Sequence, residues 1–316
     1  MRKLFAFGVV FALMAIAPGL LNPYQLSILL KILIWGLFAM SYDLVFGYTG
    51  LLSLGHSVYF GLGAYGAALM MLQMHPGIAI SLAAGVLLGG LAAALIGLLA
   101  VRSGGHGFII VTAVTALLFY LLAQSQRNVT GGDDGLTLGP LPLQIAGWSA
   151  GCADPGPAYL LVLVVAGLSF LLLYALVRAP LGLALRCVRE NEPRAQALGY
   201  DTITLKWLAF ALSGGAAALA GALYALTNCH ISTALFHWLV SADALIWTLF
   251  GGMGTLVGPL LGTGVFFILR EGLSGIWQVG YPILVGLTLL LIARFFPQGL
   301  LGIIKGLGQT LRGFSR

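Results

Sequence analysis

Charged residues are scarce in this sequence of 316 residues. Asp, Glu, Lys and Arg together make up 8% of it, while 60% is hydrophobic and the mean hydropathy is +1.03. In a soluble domain about a quarter of the residues are charged, so this composition excludes a water-soluble globular fold. The composition predicts an all-α, polytopic integral membrane protein surrounded by lipid. The 45 glycines fit this class, because small residues let helices pack closely in a membrane.

Groups that could carry out catalysis are also few. The sequence has no Gly-x-x-x-x-Gly-Lys-[Ser/Thr] phosphate loop and no Gly-Lys pair, so we expect no ATP or other cofactor on this chain. The five histidines lack metal-ligand spacing, and no nucleophile stands beside a base, so we expect neither a metal site nor an enzyme. The net charge of +6 comes without a basic stripe interleaved with aromatics. Nucleic acid is therefore not expected as a partner.

Cysteines are too few to form a disulfide framework. There are three, Cys152, Cys187 and Cys229, and their spacing matches neither a disulfide pattern nor a metal site. Cys152 and Cys229 both fall on the predicted outer side, where disulfides can form. We nevertheless expect these two to be free, because nothing in their spacing demands a bridge.

Apolar segments divide the chain into about ten candidate membrane helices, with eight as the alternative count. About 20 apolar residues span the hydrocarbon core, so several segments are long enough, but the eighth is too short unless its glycine-rich end is covered by protein. The first resembles a signal peptide, yet Pro18 directly after Ala15-Ile-Ala17 favours an uncleaved helix. The segments cover residues 4–21, 24–46, 51–72, 78–101, 107–124, 159–177, 207–227, 240–250, 256–279 and 282–296.

The positions of the basic residues predict the orientation. With both termini inside and ten crossings, twelve of the fifteen Lys and Arg residues fall on the cytoplasmic side, as the positive-inside rule requires. We expect one transmembrane domain, 1–316, with an outer loop at about 125–157 and a cytoplasmic loop at about 178–206. The twelve are Arg2, Lys3, Arg102, Arg178, Arg186, Arg189, Arg194, Lys206, Arg294, Lys305, Arg312 and Arg316.

The most charged stretch of the chain, 186–199, lies in this cytoplasmic loop. Asn191 or Glu192 can cap a helix over about 192–198, which Gly199 would end. So short a helix does not stabilise itself, which favours a segment held against a partner. Ala195 and Leu198 would share the face that meets it. The alternative is an ordinary positive loop that only fixes topology.

Glycines cluster at two further places, 47–55 and 251–262. One interpretation is close helix packing. The other is a pair of interrupted helices beside a polar path, since irregular backbone at membrane depth is tolerated only where protein or a cavity covers it. On this second interpretation the candidate path residues are Gly47, Gly50, Ser53, Gly55, His56, Gly251, Gly252, Gly254 and Thr255.

Five ionisable residues lie in or near apolar segments: Lys31, Asp43, Asp243, Arg270 and Glu271. Such groups are unfavourable in lipid and normally face a partner or a cavity. None of them forms a clear proton relay, which weighs against a proton-driven secondary transporter.

Three blocks together resemble the permease subunits of branched-chain amino-acid ABC importers, of the LivM type. The likeness covers nearly the whole chain, although Met253 and the pair Tyr42-Asp43 depart from the family's usual residues, and Asp43 could bear on substrate. Shorter likenesses occur at 130–135 and 296–302. The main blocks are Tyr42-Asp-Leu-Val-Phe-Gly-Tyr-Thr-Gly-Leu-Leu-Ser-Leu-Gly-His56, Arg189-Glu-Asn-Glu-Pro-Arg-Ala-Gln-Ala-Leu-Gly199 and Gly251-Gly-Met-Gly-Thr-Leu-Val-Gly-Pro-Leu-Leu-Gly262.

The resemblance implies a multi-pass permease of the bacterial inner membrane. Its implied partners are a second, LivH-like permease, two cytoplasmic ATP-binding subunits and a periplasmic substrate-binding protein. It also implies that the charged loop docks the ATPase, through Arg189, Glu190, Asn191, Glu192, Arg194, Ala195, Leu198 and Gly199.

Two alternatives remain open at this point. The first is a permease of the same family for urea or short amides. Related permeases carry these substrates, and the binding protein usually selects the substrate. A stand-alone secondary transporter or channel is the alternative from another class, which co-purification of an ATPase would exclude.

Overall fold

The computed structural model of the chain is a bundle of long helices. It describes residues 13–74, 77–138, 143–145, 148–150 and 155–276, with residue 11 and isolated positions between 283 and 302. The start of the first predicted segment and most of the tenth lie outside the described residues. The helices are α1 (described over 13–20), α2 (Pro23–Thr49), α3 (His56–Met74), α4 (Ile78–Ala100), α5 (Gly105–Ser125), α6 (Arg127–Thr130), α7 (Pro155–Arg178), α8 (Pro180–Glu190), α9 (Glu192–Ala197), α10 (Thr202–Thr227), α11 (Trp238–Gly251) and α12 (Val257–Ile276).

Five described helices are long and apolar enough to cross a membrane: α2, α4 with its extension to Ser103, α5, α7 and α10. The predicted all-α polytopic class is therefore confirmed. Helix ends follow local backbone signals more closely than hydropathy. Helix α2 begins at Pro23, where its first turn tolerates a missing N–H, and ends before Gly50, which has a left-handed φ of 77°. It is thus longer than the apolar segment 24–46.

Helices α2, α3 and α10 form the centre of the bundle, and α4 packs against α3 and α10 from outside. Small residues let α3 approach α10 to backbone contact, and a Cβ added at Gly221 would overlap the carbonyl of Phe60. Aromatic rings fill the space toward α11: Trp35 stacks on Phe60 with ring centroids 4.7 Å apart and meets Trp247 edge-on at 5.7 Å. This packing places the start of α3 inside the bundle, away from lipid.

Two short antiparallel ribbons lie at the end of the bundle opposite the 178–206 loop. Strands β1 (Leu136–Thr137) and β4 (His230–Ile231) pair with Leu136 opposite Ile231, and β2 (Leu143–Ile145) pairs with β3 (Trp148–Ala150). The first pairing joins the loop after α5 to the loop after α10.

The same pairing positions Cys229. Its carbonyl accepts a hydrogen bond from the Leu138 N–H at 2.7 Å. Cys229 is disulfide-bonded, so the expectation that it is free is wrong, while Cys187 is free. Spacing along the chain does not show this bond, because the three cysteines match no disulfide pattern. Cys152 lies outside the described residues, so the expectation that it is free stays a prediction.

Candidate functional site

The first predicted interruption separates α2 from α3. Residues 50–55 are irregular and turn back into the bundle, where the Leu54 N–H donates to Thr112 Oγ1 of α5 at 3.1 Å. Ser53 and Gly55 are buried there, and a Cβ at Gly55 would lie 2.8 Å from the Thr112 carbonyl oxygen. The predicted irregular backbone is found here, covered by protein as the membrane requires, while the polar path beside it stays a prediction.

The second interruption separates α11 from α12. Helix α11 ends at Gly251, and the turn 252–256 follows, with left-handed backbone at Gly252 (φ 112°), Gly254 (φ 74°) and Leu256 (φ 58°). Among the described residues Leu256 is the non-glycine with positive φ, a conformation that costs an L-residue about 1–2 kcal/mol. The predicted break is confirmed, and something must hold Leu256 in place.

Asp43 of α2 supplies that support. Its carboxylate is fully buried, with Oδ1 accepting from the Gly254 N–H at 2.7 Å and Oδ2 from the Leu256 N–H at 3.0 Å. One turn along α2, Gly47 packs directly on the same backbone: an added Cβ would lie 2.5 Å from the Gly254 nitrogen. The last turns of α2 therefore touch the 252–256 turn, with the Asp43 carboxylate between them.

Arg189 joins the charged loop to both interruptions. From the last turn of α8, its Nη1 donates to the carbonyl of Gly47, and its Nη2 lies 3.5 Å from Met253 Sδ. Its side chain also covers Gly50 at the end of α2. Arg189 therefore connects the loop to the end of α2 and to the 252–256 turn.

His56 lies deeper in the bundle than these residues. Ser213 Oγ donates to the Ser41 carbonyl at 2.5 Å, so it accepts from His56 Nε2, 2.7 Å away, and that nitrogen carries the proton. The ring is fully buried and meets Tyr42 and Tyr59 edge-on. His56 thus fixes the start of α3 by packing, and its place in a substrate path stays a prediction.

Several contributing residues were missed from the sequence. Ser241 Oγ of α11 accepts from the Ser57 N–H at 2.8 Å, and Ser57 Oγ donates to the Phe236 carbonyl at 3.1 Å, so α3 and α11 begin against each other. Ser213 and Thr112 were also missed. Their only signal is a small hydroxyl residue in an apolar helix, which is too common to single out.

The remaining candidate path residues have local contacts. Thr255 Oγ1 donates to the Gly252 carbonyl at 2.7 Å and accepts from the Gly258 N–H at 3.0 Å, closing the turn. Gly251 packs against the backbone of Gly258, where a Cβ would overlap the carbonyl. The structure thus brings Gly47, Gly50, Gly252 and Gly254 together beside the loop, while Ser53, Gly55 and His56 lie against α5 and α10.

The predicted short helix in the loop is α9. Asn191 Oδ1 caps it by accepting from the Arg194 N–H at 2.9 Å, and Gly199 has the left-handed φ of 88° that ends such a helix. Glu192 is paired with Lys206 at the start of α10, with Nζ to Oε1 at 2.5 Å. The capping prediction is confirmed, with Asn191 as the cap.

The predicted contact face of α9 is wrong in one respect. Ala195 is 2% exposed, whereas Leu198 is 71% exposed. The helix ends at Ala197, so Leu198 lies in the turn after it and does not share a helical face with Ala195. Ala195 is buried within this chain, and Glu190, Arg194, Leu198 and Tyr200 form the exposed surface.

The class of protein follows from three features: apolar spans, a turn between α11 and α12 that packs on the end of α2, and a capped charged loop held against both. Together they define a multi-pass membrane transport protein. A family model described as the permease component of the branched-chain amino acid transport system matches residues 24–293. The chain belongs to this family of permease components.

Named relatives agree with the family. The chain is 28% identical to the high-affinity branched-chain amino acid transport system permease protein LivM of Salmonella typhimurium, over 96% of this chain and 76% of that one. LivM of Escherichia coli gives the same identity and coverage. LivH of Escherichia coli is 25% identical over 85% of this chain and 91% of its own length. No solved structure matches the chain significantly.

Proposed function

We propose that this chain and a second, LivH-like permease form the path of an ABC importer for leucine, isoleucine and valine in the bacterial inner membrane. Two cytoplasmic ATP-binding subunits drive it, and a periplasmic binding protein delivers the substrate. The family match and the names of the LivM and LivH relatives support the substrate class. The charge distribution supports cytoplasmic termini and a cytoplasmic 178–206 loop.

One observation carries the coupling part of this proposal. Arg189, directly before α9, contacts the carbonyl of Gly47 and the sulfur of Met253. A partner that binds α9 can therefore move the end of α2 and the 252–256 turn together. When the ATP-binding subunits close, they would pull on α9. The end of α2 and the 252–256 turn would then shift and change the shape of the substrate path.

Leu198 provides the test of docking. It is 71% exposed here, and full burial of a leucine side chain contributes about 1.5–3 kcal/mol, while burying an unpaired charge is strongly unfavourable. Leu198→Asp should therefore weaken retention of the ATP-binding subunits by about tenfold to a hundredfold. Leu198→Met, which keeps size and apolarity, is the matched control and should retain them.

The measurement is co-purification of the complex together with uptake of labelled leucine and labelled urea. We expect leucine uptake that requires this gene and ATP, and its loss in Leu198→Asp with the permease still in the membrane. Equal assembly and uptake for Leu198→Asp and the parent would contradict docking at this residue. Uptake of urea in place of leucine would contradict the substrate class.

A further inference from the structure

A cavity lies at the end of the bundle opposite the 178–206 loop, where α7 begins and α10 ends. Side chains of α2, of the first turn of α7 and of the end of α10 line it, and its volume is about 200 Å³. Pockets for drug-sized ligands have about 300–1,000 Å³, so this cavity suits a smaller molecule. None of the candidate path residues is among its lining side chains.

Lys31 brings a positive charge to this cavity. It is the ninth residue of the spanning helix α2, and the candidate site described above does not use it. Among the described residues no ion pair within 4 Å joins the Lys31 ammonium to a carboxylate. A charged group in a spanning helix normally faces a partner or a cavity, and Lys31 lines this one. Its ammonium is therefore available to an anionic group.

The helix ends around the cavity carry partial charges of both signs. Helix α7 begins at Pro155, and the N-terminus of a helix carries a partial positive charge. Helix α10 ends at Thr227, and the C-terminus of a helix carries a partial negative charge. Lys31 and the start of α7 thus favour an anion, whereas the end of α10 favours a cation. The cavity suits a ligand with one charge of each sign.

Two polar side chains of the cavity are left as hydrogen-bond acceptors. Asn228 Nδ2 donates to the Tyr224 carbonyl at 2.9 Å and to Thr227 Oγ1 at 3.3 Å, so Asn228 Oδ1 remains to accept. Ser27 Oγ donates its proton to the Tyr24 carbonyl at 2.7 Å, so it can only accept further bonds. An ammonium group of a ligand supplies donors for both oxygens.

We propose that this cavity binds a free aliphatic amino acid. Its carboxylate meets Lys31 and the start of α7, and its ammonium group meets Asn228 Oδ1 and Ser27 Oγ. Its side chain packs on the apolar part of the lining, which consists of Leu30, Pro155 and Ala158.

The inference rests on the proposed function and adds to it a place where the substrate binds. Under the proposed topology the cavity lies on the outer side, where a periplasmic binding protein releases its substrate. Helix α2 connects the cavity to the 252–256 turn, because Asp43, which holds that turn, lies twelve residues or about 18 Å further along the same helix.

Uptake by the complete transporter in vesicles tests the role of the Lys31 charge. In a Cys187→Ser background, Lys31→Cys should lower ATP-dependent leucine uptake about tenfold or more, the range for losing a hydrogen bond to a charged group. Aminoethyl methanethiosulfonate attaches an ammonium group to the new thiol and should restore most of the uptake. Propyl methanethiosulfonate attaches a group of similar size without the charge and should not. Parent-like uptake by Lys31→Cys, or equal rescue by both reagents, would overturn the proposal.

Asn228→Leu tests the other end of the cavity independently of the first variant. It removes the acceptor for the substrate ammonium group and should also lower leucine uptake about tenfold, with the ATP-binding subunits retained. Parent-like uptake by Asn228→Leu would overturn the assignment of the ammonium group to this end.

Protection from labelling shows what occupies the cavity. Excess free leucine should slow the reaction of Lys31→Cys with the aminoethyl reagent, while leucinamide and 4-methylpentanoate, which each lack one charge, should protect less. Tyr24→Cys is the matched control, because Tyr24 is 61% exposed on the same helix and does not line the cavity. Leucine should not slow its labelling.

A phosphatidylethanolamine headgroup has the same pair of charges, so the labelling is repeated in vesicles with and without this lipid. Protection by the lipid and none by leucine would assign the cavity to a headgroup and overturn the proposal. If the parent complex takes up no leucine, the proposed function itself fails. If the parent takes it up and the Lys31 and Asn228 variants match it, only this binding site fails.

Discussion

Replacing Asp43 with asparagine tests whether one buried carboxylate holds the break between α11 and α12. Asp43 accepts two backbone hydrogen bonds, from Gly254 at 2.7 Å and from Leu256 at 3.0 Å. An asparagine side chain has nearly the same shape, but only its oxygen can accept. One of the two N–H groups would then face a side-chain NH₂ group and lose its partner.

The expected size of the effect follows from two opposing terms. A hydrogen bond to a charged group contributes about 1.5–3 kcal/mol net. The left-handed conformation of Leu256 costs about 1–2 kcal/mol, so loss of one bond removes about as much free energy as the turn needs to stay in place. Released forms of the turn should therefore become about tenfold to a hundredfold more populated.

Hydrogen exchange in the purified complex measures this directly. Peptides that cover residues 252–258 should exchange about tenfold to a hundredfold faster in Asp43→Asn, and leucine uptake should fall. Ser41→Ala is the matched control, because its hydroxyl bonds only to the Phe38 carbonyl one turn away. Parent-like exchange in Asp43→Asn would refute the idea that the carboxylate holds the turn.

Three further predictions concern the same region and its orientation. Arg189→Lys keeps the charge but loses the fork that reaches both Gly47 and Met253, so uptake per ATP hydrolysed should fall about tenfold with assembly unchanged. Gly252→Val should abolish uptake in a protein that still inserts, since a β-branched residue is strained at φ 112°. In a Cys187→Ser background, an impermeant thiol reagent added outside should label Asp134→Cys and miss Arg194→Cys.

Each of these predictions has a control and a contrary outcome. Arg186→Lys, on the same helix but against the Tyr48 ring, should change coupling less than Arg189→Lys, and equal effects would contradict a specific link. Gly215→Ala meets no neighbour within 4 Å and should transport normally. Full uptake by Gly252→Val would leave only a packing role for that glycine. The reverse labelling pattern would invert the proposed topology.

Features that depend on neighbouring residues could be predicted from the sequence. The cap at Asn191 and the stop at Gly199 need only a few residues and their backbone preferences. The two interruptions also carry a local signal, because glycine-rich stretches break otherwise continuous apolar segments. The eighth segment was correctly expected to be short, and α11 has 14 residues.

Features that depend on distant residues could not be predicted in this way. Asp43 and Leu256 are 213 positions apart, so no spacing rule joins them, even though Asp43 stood out as an ionisable residue in an apolar segment. The expectations that Ala195 faces a partner and that Cys229 is free were also wrong. Ala195 is buried because α9 packs against its neighbours α8 and α10, an arrangement that helix spacing alone does not show.

The contacts around the 252–256 turn give a physical reason for an arginine in the loop and an acidic residue in α2. Asp43 holds the turn from inside the bundle through two N–H groups, while Arg189 holds Gly47 and Met253 from the loop side. Among the described residues no ion pair within 4 Å joins the two side chains, and each contacts the backbone of this region separately. A turn held on both sides can be released from one side, and the proposed docking at α9 would act on the side that Arg189 holds.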